Sequence, residues 1–566
     1  MVLGGSTGSN SKRVFALSIA VLAFVLLSAL WIGTRDRQEP EQQGQATGDE
    51  DRIEGGSWFR ASCNLPIEYL ERTRRGRFGA RSPDVVFFPK VPNYVGSDIY
   101  TTHAGPWEYV QSVPLVFYGK GFIESSGDLR LERDLDLTDL TATLADLLEV
   151  DLPHAVGRSI EEALVPQEQR SGTPKLIVTV VWDGGGWNLL NRWPNEWPKL
   201  RSLMERGTSV MGVTVGSSPS TTPAVHSTIG TGAFPRDHGA VDIPIRRNGK
   251  MVASFGDFTA DDVVIPTIGD VYDLETNNEA KVAMIGEKAW HLGMLGHGAS
   301  IEGGDKDVAV MWNLHHKLIT NPVNYTLPSN LDVRPALDEE LEELDAEDGR
   351  LDSVWMGNDV LADRGRWRHS PLWTMYQPEL LRSVVVGQRM GQDDVTDLLF
   401  TNFKHIDVVG HYPNKKEELR LTVRRTDDAL GEFVDDLDEH VGEGEWVLAL
   451  TADHGVTPHP ETSGAWPINV AILGDDIAER FGVETDELVL EDRPNGLWLN
   501  RETMRARGIT PEQVSRFVMG YRLEDNIGPR NQDQIAGYEQ RMDEKLFAAA
   551  APGDRLDQIL ECARRR

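Results

Sequence analysis

Cysteine is nearly absent from this sequence, which has only Cys63 and Cys562 among 566 residues. Zinc sites built from clustered cysteines and scaffolds held by many disulfides both need closely spaced thiols, so both are excluded. Positive charge is scarce as well. Because 57 lysines and arginines stand against 89 aspartates and glutamates, the formal net charge is −32. Such a chain repels polyanions, and we expect no nucleic-acid binding surface.

One long apolar segment lies near the N-terminus. Residues 14–33 (VFALSIAVLAFVLLSALWIG) carry no charge, and at about 1.5 Å per residue a helix over them reaches roughly the 30 Å of a hydrocarbon core. Lys12 and Arg13 precede the segment, which predicts a single-pass anchor with residues 1–13 in the cytoplasm and the catalytic part outside. A cleaved signal peptide is the alternative. Residues 34–56, rich in glycine, glutamine and acids, predict a flexible tether.

Apolar, β-branched runs alternate with amphipathic stretches from Lys175 onward, which predicts an α/β fold with a largely parallel sheet. The run LIVTVVW precedes Asp183, and WVLALTA precedes Asp453. Open α/β sheets place their active sites at such strand ends. We therefore predict a catalytic core over residues 172–475 with an acidic insertion near 324–373. Residues 476–566 are predicted as a C-terminal accessory region with one possible strand at 496–500.

Four segments carry metal-ligand or nucleophile residue types in a fixed order. The first, VVWDGGGWN, contains Asp183, which taken alone is most simply a helix cap. The second, SSPSTTPAVHSTIG, places Thr222 before Pro223 at the start of a predicted helix. Backbone N–H groups point outward there and favour an anion. An N-cap threonine is the structural alternative.

The other two segments combine carboxylates with imidazoles. FKHIDVVGHYP contains Asp407 and His411, and LTADHG places Asp453 directly before His454. These donors suit Zn²⁺ or a similar divalent ion. Each motif is ambiguous alone, but the ordered set is specific.

These segments resemble the metal and nucleophile motifs of the alkaline phosphatase superfamily, most of all its type I phosphodiesterase and nucleotide pyrophosphatase branch. The strongest match is TTPAVHSTIGTGAFPRDHGAVD, which resembles the nucleophile segment of that branch. The resemblance implies an alkaline-phosphatase-like three-layer sandwich with a mostly parallel central sheet. It also implies two divalent metal ions, with Zn²⁺ expected. One ion would be held by Asp183, Thr222, Asp453 and His454, and the other by Asp407 and His411.

The second ion still needs a third protein ligand. In the branch this is a histidine beyond the Asp-His-Gly motif, in a segment resembling Thr-His-Gly, an aromatic and a Val-Pro-Leu strand. Here the similar segment, TTHAGPWEYVQSVPLVFYGKGFI, lies near the N-terminus. The resemblance therefore implies a circular permutation in which residues 57–166 complete the catalytic domain and His103 supplies the ligand. His459 is the alternative.

The permutation has a consequence for the two cysteines. Cys63 and Cys562 would flank the permuted join, so a disulfide between them is implied in an oxidising compartment. Two unpaired thiols are the alternative, because the sequence does not show whether their Cα atoms come within the roughly 7 Å that a bridge requires.

The resemblance implies hydrolysis through a phosphothreonine intermediate on Thr222, with two metal ions about 4 Å apart around the phosphoryl group. Thr221 is the rival nucleophile, but the spacing to His226 matches the branch only from Thr222. His226 and His238 are expected to cap or pack rather than to bind metal.

Substrate preference depends on three further positions. Where the branch has an asparagine that donates to a phosphate oxygen, this chain has Ile243. Lys288, in MIGEKAWHLG, resembles a lysine of phosphate-monoesterase members, but the arginine two residues on is replaced by Trp290. A monoester dianion needs more positive charge than a diester, and an aromatic residue suits an organic substituent. We expect diester or pyrophosphate substrates, with Lys288 and Trp290 at the substrate site; a plain surface lysine is the alternative.

The expected partners are a small phosphate ester and, through the N-terminal helix, a membrane. An alkaline phosphomonoesterase is the alternative activity. A sulfatase is disfavoured because its nucleophile motif is missing, and a phosphoethanolamine transferase because the chain lacks a lipid-facing helical domain. A non-catalytic, membrane-tethered binding protein would be expected to have lost at least one ligand.

Overall fold

The computed structural model describes residues 58–97, 99–170, 172–313, 317–334, 337–412, 415–458, 460–528 and 531–566. No helix within these ranges is long and apolar enough to cross a membrane. The predicted anchor at 14–33, the predicted tether at 34–56 and His459 all lie outside the described residues.

The strands, in chain order, are β1 (Val85–Pro89), β2 (Tyr94–Val95), β3 (Leu115–Tyr118), β4 (Gly127–Leu129), β5 (Leu135–Asp136), β6 (Leu176–Trp182), β7 (Thr208–Val210), β8 (Val213–Thr214), β9 (Pro244–Arg247), β10 (Lys250–Ala253), β11 (Val282–Ile285), β12 (Val308–Trp312), β13 (Leu318–Ile319), β14 (Asp397–Phe403), β15 (Trp446–Thr451), β16 (Pro467–Ile468), β17 (Val489–Arg493), β18 (Gly496–Leu499) and β19 (Phe547–Pro552).

The α-helices are α1 (Trp58–Ser62), α2 (Ile67–Arg75), α3 (Glu108–Gln111), α4 (Leu137–Leu148), α5 (Trp187–Leu190), α6 (Pro198–Arg206), α7 (Thr222–Thr231), α8 (Pro235–His238), α9 (Ile268–Glu275), α10 (Leu292–Leu295), α11 (Asp338–Asp345), α12 (Leu372–Gly387), α13 (His405–Gly410), α14 (Lys416–Leu437), α15 (Pro460–Ser463), α16 (Val470–Phe481), α17 (Thr485–Leu488), α18 (Arg501–Arg507), α19 (Pro511–Gly520) and α20 (Leu556–Arg564).

The central sheet has the strand order β13-β12-β11-β14-β6-β15-β3-β7-β4. Its five middle strands, from β12 to β15, run parallel to one another, whereas β13 and β3 pair antiparallel with their neighbours. The predicted α/β class is confirmed, with a sheet that is parallel in its middle and mixed towards its edges.

Helices cover both faces of this sheet. Side chains of β6 alternate between two hydrophobic cores, with Val178 and Val180 in one and Ile177 and Val181 in the other. The first core also takes residues from α12 and α14, and the second takes residues from α4, α7 and α9. Because a strand buried on both faces needs apolar residues at every position, the unbroken run LIVTVVW forms this central strand.

The segment predicted to complete the sheet does so in part. β3, from the sequence VPLVFYG, pairs antiparallel with β15, so that Leu115 lies opposite Thr451. β1, from the same predicted segment, instead belongs to a second, antiparallel sheet of order β17-β18-β1-β19. β18 matches the strand predicted at 496–500, whereas β17 and β19 were not predicted. The described strands of this segment therefore lie in four sheets: β3 and β4 in the central sheet, β1 in the second sheet, and β2 and β5 in two-stranded sheets with β16 and β8.

The second sheet has a hydrophobic core of its own, to which both ends of the described chain contribute. Beside it, Cys63 and Cys562 form a disulfide with a Cα–Cα distance of 5.7 Å. The predicted cysteine pairing is confirmed, and it joins the end of α1 to α20.

The acidic insertion predicted at 324–373 buries more of its side chains than its composition indicates. Within its described residues it forms α11 and turns, and its Leu344, Trp355 and Trp367 are buried in the core that also contains α12 and α14. These apolar side chains follow no regular period, so their burial was not evident from the sequence.

Candidate metal centre

Three carboxylates converge at one edge of the central sheet. Asp183 follows β6, Asp407 follows β14 and Asp453 follows β15, and these three strands are parallel neighbours. Parallel neighbours end at the same edge, so residues distant in sequence meet there. All three aspartates are buried, with exposed fractions of 0%, 4% and 0%.

Glycine allows this convergence. Gly184 has a φ of +75°, and a Cβ atom added to it would lie 3.0 Å from the Cα atom of Asp407. Its backbone N–H donates to Oδ1 of Asp453 at 3.0 Å. The DGGG sequence therefore permits a close approach that a side chain would obstruct.

One group of potential ligands consists of Asp183, Asp453 and His454. The Nε2 atom of His454 lies 3.4 Å from Oδ2 of Asp453 and 3.6 Å from Oδ1 of Asp183. Both His454 Nε2 and Asp453 Oδ2 are buried, and neither has a hydrogen-bond partner among the described residues. Buried polar atoms are rarely left unpaired, so an unpaired imidazole nitrogen and an unpaired carboxylate oxygen this close together fit a site for a cation.

A second group consists of Asp407, His411 and His103. Oδ1 of Asp407 lies 3.3 Å from Nε2 of His411 and 3.5 Å from Nε2 of His103. The Nδ1 atoms of both rings bond to backbone carbonyls, that of His411 to Thr101 at 2.5 Å and that of His103 to Ser220 at 2.8 Å. Histidines that bind metals are commonly held in this way, because a bond at one ring nitrogen orients the other.

His103 is integrated into the centre by further contacts. Its ring stacks on that of His454 with centroids 3.5 Å apart, and the Ser220 hydroxyl donates to its carbonyl oxygen at 2.7 Å. The N–H of Thr101 donates to the carbonyl oxygen of His411 at 2.8 Å. The N-terminal segment is thus attached both to the loop before α7 and to the end of α13. The alternative ligand His459 lies outside the described residues.

Burial determines the ionisation of these groups. It lowers the pKa of His103 to about 4 and that of His454 well below its usual range, so both imidazoles are neutral at pH 7. Burial raises the pKa of Asp183 to about 6, and burial together with the Asp183 charge raises that of Asp453 well above its usual range. Neutral imidazoles beside crowded carboxylates are the state that a divalent cation would stabilise.

Thr222 is the first residue of α7 and is 3% exposed. The Nδ1 atom of His226 lies 2.8 Å from the carbonyl oxygen of Thr222 and bonds to it. Thr221 is the N-cap, and its buried Oγ1 has no hydrogen-bond partner among the described residues. Both threonines therefore lie beside the centre, and only Thr222 has a hydroxyl that contacts a member of it.

That contact is Lys404, which the sequence analysis missed. Its Nζ atom donates to Asp183 Oδ1 at 2.9 Å, to Asp407 Oδ2 at 2.7 Å and to Thr222 Oγ1 at 3.2 Å. Burial lowers the pKa of Lys404, but the carboxylates of Asp183, Asp407 and Asp453 raise it by more than burial lowers it. The ammonium therefore stays charged. Its position just after β14 and three residues before Asp407 was the available signal.

Asn402, also unpredicted, connects the carboxylates to α7. Its Nδ2 group donates to Asp183 Oδ2 at 3.0 Å and to His226 Nε2 at 2.7 Å. With both ring nitrogens engaged, His226 packs beside the centre. His238 is buried as well and contacts Thr228 Oγ1 at 3.2 Å. His238 is buried away from the carboxylates, whereas His226, with Asp183 and His291, also belongs to a group of side chains close enough to hold a metal ion, so its expected packing role stays a prediction.

The three positions predicted to select the substrate lie in two segments, Lys288 and Trp290 after β11 and Ile243 before β9. The Lys288 ammonium pairs with the buried carboxylate of Glu287. Burial raises the pKa of Glu287, but Lys288 and His405 lower it more, to about 2. Trp290 is half-buried against the core that contains α7. Ile243, just before β9, is partly exposed.

The donors fit divalent ions. Ligand atoms around one tetrahedral ion, at about 2.0 to 2.2 Å from it, lie about 3.3 to 3.6 Å apart. The atoms of His103, Asp407 and His454 lie within 4.8 Å of one another, and so do those of Asp183, Asp453 and His454. His454 belongs to both of these groups, so its position alone would allow it to bind either ion.

Comparisons with known proteins relate this chain to a family and to individual proteins. The family model described as type I phosphodiesterase / nucleotide pyrophosphatase matches residues 177–519. Alkaline phosphatase PafA of Elizabethkingia meningoseptica is 24% identical over 410 residues, which cover 61% of this chain and 72% of that protein. Alkaline phosphatase PhoV of Synechococcus elongatus is 24% identical over 342 residues, covering 52% and 61%. The crystal structure of wild-type PafA aligns with a TM-score of 0.47 at 19% identity, covering 63% of this chain and 77% of that one.

Proposed function

Because the chain belongs to the type I phosphodiesterase / nucleotide pyrophosphatase family, and is therefore an enzyme of the phosphoesterase type, we propose that it hydrolyses small organic phosphate esters with Thr222 as the nucleophile. The observation that carries this proposal is the position of the Thr222 hydroxyl, at the start of α7 and beside two groups of buried donors. The backbone N–H groups at the start of α7 favour the binding of a phosphoryl oxygen there.

Two divalent ions would bind this centre. Asp183, Asp453 and His454 would hold one, together with Thr222, and Asp407, His411 and His103 the other. The mixture of carboxylate and imidazole donors favours Zn²⁺. When bound, two such ions supply positive charge that stabilises the attacking and departing oxygens.

The chain's own residues orient and stabilise the reaction. Oγ1 of Thr222 loses its proton and forms a bond to phosphorus while the bond from phosphorus to the leaving oxygen breaks, and that oxygen takes up a proton as it leaves. Water then cleaves the bond between Oγ1 and phosphorus, which restores the hydroxyl and releases a phosphate monoester from a diester substrate, or phosphate from a monoester. The Lys404 ammonium, 3.2 Å from Oγ1, orients the hydroxyl and stabilises the negative charge that develops there. Asn402 and His226 hold Asp183 and the start of α7 in position.

Diester or pyrophosphate substrates are the first candidates. Trp290 replaces a positive charge with an aromatic surface, Ile243 provides no hydrogen-bond donor from its side chain, and the Lys288 ammonium is paired with Glu287. This leaves less free positive charge for a phosphate dianion. A phosphomonoesterase is the second candidate, favoured by the unexpected charge of Lys404 beside Thr222.

The test compares hydrolysis of bis-p-nitrophenyl phosphate and p-nitrophenyl phosphate, with metal content measured on the same samples. We expect about two metal ions per chain and a higher kcat/KM for the diester. Thr222→Ala should lower kcat by at least about 10³-fold, Thr222→Ser should retain part of the activity, and Thr221→Ala, the matched control, should stay near the parent. Full activity in Thr222→Ala would remove the proposed nucleophile, and a preference for the monoester would favour the second candidate.

We further propose that the enzyme acts outside the cytoplasm, attached to a membrane by residues 14–33. The uncharged run in the sequence supports this, and so does the Cys63–Cys562 disulfide, because such bonds persist in oxidising compartments. Two experiments test this proposal. Release of the intact protein from membranes by carbonate would contradict the membrane attachment. Protection of residues 58–566 from protease, in cells made permeable only at the outer surface, would contradict the location outside the cytoplasm.

A further inference from the structure

A second group of acidic side chains lies at the end of the parallel strands opposite to the metal centre. Asp273 is in α9, and Asp305 and Asp307 directly precede β12. β12 runs parallel to the strands whose carboxyl ends carry the metal centre, so its beginning lies at the opposite edge of the sheet. One carboxylate oxygen from each of these three aspartates lies within 4.8 Å of the others. We refer to these residues as the aspartate triad.

Two members of the aspartate triad are buried without compensation. Asp273 is 4% exposed and Asp307 6% exposed, whereas Asp305 is exposed. Oδ1 of Asp273 is buried and accepts no hydrogen bond from the described residues. Within the described part of the chain no lysine, arginine or histidine forms an ion pair with any of the three. A buried carboxylate that has one unpaired oxygen and lies beside two other carboxylates is the feature that requires an explanation.

A neighbouring aspartate shows what a satisfied environment looks like. The carboxylate of Asp270, also in α9, accepts hydrogen bonds from the backbone N–H of Thr267 at 2.8 Å and from the ring of His297 at 2.7 Å. Asp270 therefore has local donors, whereas no described residue donates a hydrogen bond of this kind to a carboxylate of the aspartate triad. The charge of Asp270 adds to the repulsion that Asp273 and Asp307 experience.

The physical consequence is a strong bias against three negative charges. Burial, followed by the charges of Asp305 and Asp270, raises the pKa of Asp273 to about 6. Burial and the neighbouring carboxylates raise the pKa of Asp307 well above its usual range. Protons or a cation would relieve this repulsion, because like charges at this separation are costly where burial limits contact with water.

We propose that Asp273, Asp305 and Asp307 bind a hard divalent cation, of which Ca²⁺ is the best match. All three donors are carboxylate oxygens, the ligand type that Ca²⁺ and Mg²⁺ prefer over nitrogen or sulfur. With Ca–O distances of about 2.4 Å, oxygens on opposite sides of one ion lie about 4.8 Å apart, so a single Ca²⁺ can contact all three. Mg²⁺ requires a near-ideal octahedron and gives up its water reluctantly, so a set of three carboxylates with one exposed member suits Ca²⁺ better.

Access and consequence both follow from the position of the site. The exposed Asp305 provides an entry for the ion and leaves room for water to complete its coordination. A bound ion would connect the helix α9 to the beginning of the central-sheet strand β12. The site uses none of the residues of the proposed metal centre, so its existence is independent of the proposed catalytic function.

The experiment measures ⁴⁵Ca²⁺ binding to the metal-free full chain by equilibrium dialysis, together with the melting temperature with and without about 5 mM CaCl₂. We expect one Ca²⁺ per chain with a Kd between about 10⁻⁶ and 10⁻³ M, and a higher melting temperature when Ca²⁺ is present. Asp305→Asn should weaken binding at least about tenfold and reduce the thermal shift. Because Asp305 is exposed, this variant keeps the packing of the parent. Asp394→Asn, at an exposed aspartate in another loop, is the matched control and should bind as the parent does.

Several outcomes would overturn the assignment. Absence of Ca²⁺ binding by the parent, or equal binding by Asp305→Asn and Asp307→Asn, would exclude the aspartate triad as the site. Loss of the same Ca²⁺ in Asp453→Asn would place the ion at the metal centre instead. Tighter binding of Mg²⁺ than of Ca²⁺ in competition dialysis would reject Ca²⁺. If Asp307→Asn raises the melting temperature without Ca²⁺ and the parent does not respond to the ion, protons rather than a cation neutralise the cluster.

Discussion

The Nε2 atom of His103 lies 3.5 Å from Oδ1 of Asp407. His103 belongs to the segment before β3, whereas Asp407 is in α13 beyond β14, so the contact joins the N-terminal segment to the predicted catalytic core. The neighbouring β3 pairs with β15 in the central sheet. Both placements are those that the predicted circular permutation requires, and the permutation itself stays a prediction.

His103→Ala should remove about one metal ion per chain and lower kcat/KM for phosphate esters by at least about 10²-fold, because the second donor group loses one of its three side chains. Metal analysis of the dialysed protein and steady-state kinetics measure both effects. His459→Ala is the matched control and should retain both ions. Unchanged metal content in His103→Ala together with a loss in His459→Ala would contradict the permutation and assign the ligand to His459.

Lys404→Met should separate metal affinity from catalysis. Removal of the ammonium takes a positive charge and a hydrogen-bond donor from both Asp183 and Asp407, so we expect tighter binding of divalent ions but kcat lowered by about 10²-fold. Competition with a chromophoric chelator measures the affinity, and circular dichroism checks the fold. Lys120→Met, which removes a lysine whose side chain is 70% exposed, should change neither quantity. A Lys404→Met enzyme with parental kcat would show that the lysine only neutralises charge.

Cys562→Ser should lower the free energy of unfolding by about 2 to 5 kcal/mol under oxidising conditions, because the Cys63–Cys562 bond links α1 to α20 across the second sheet. Urea unfolding of parent and variant measures the difference. With dithiothreitol the parent should approach the variant, while the variant itself should not respond. An identical midpoint of unfolding for both oxidised proteins would show that the bond adds no stability.

The pair His297–Asp270 should make stability depend on pH. Burial lowers the pKa of His297, but the hydrogen bond to Asp270 at 2.7 Å raises it more, so the folded-state pKa exceeds the unfolded value of about 6.5. The stabilisation is therefore fully present below about pH 6.5 and is lost as the pH rises through the folded-state pKa. The difference in unfolding free energy between the parent and His297→Gln should be larger at pH 5.5 than at pH 9.

Urea unfolding at several pH values measures this difference, and subtraction of the variant removes the contributions of the other titrating groups. His154→Gln, at an exposed histidine, serves as the control and should give a constant difference. A difference for His297→Gln that grows with rising pH would reverse the assigned sign.

Much of the catalytic edge was predictable because its signals are local. An apolar run long enough for a buried strand, followed directly by a carboxylate, identifies a strand end, and this placed Asp183 and Asp453 correctly at the edge of the sheet. Thr222 before Pro223 likewise indicated the beginning of α7. Such patterns depend on neighbouring residues alone, so the sequence contains them in full.

What only the tertiary structure decided depends on approach between distant parts of the chain. Lys404 looks like any lysine after a strand until β6 and β14 bring Asp183 and Asp407 to its ammonium. β1 and β19 become strands of one sheet only when the two ends of the described chain meet, and the aspartate triad exists only because α9 packs beside the beginning of β12. The sequence by itself determined which segments form strands, helices and reactive loops. Burial and the long-range pairing of charges decided which of its polar residues act together, because both arise only when the chain is packed.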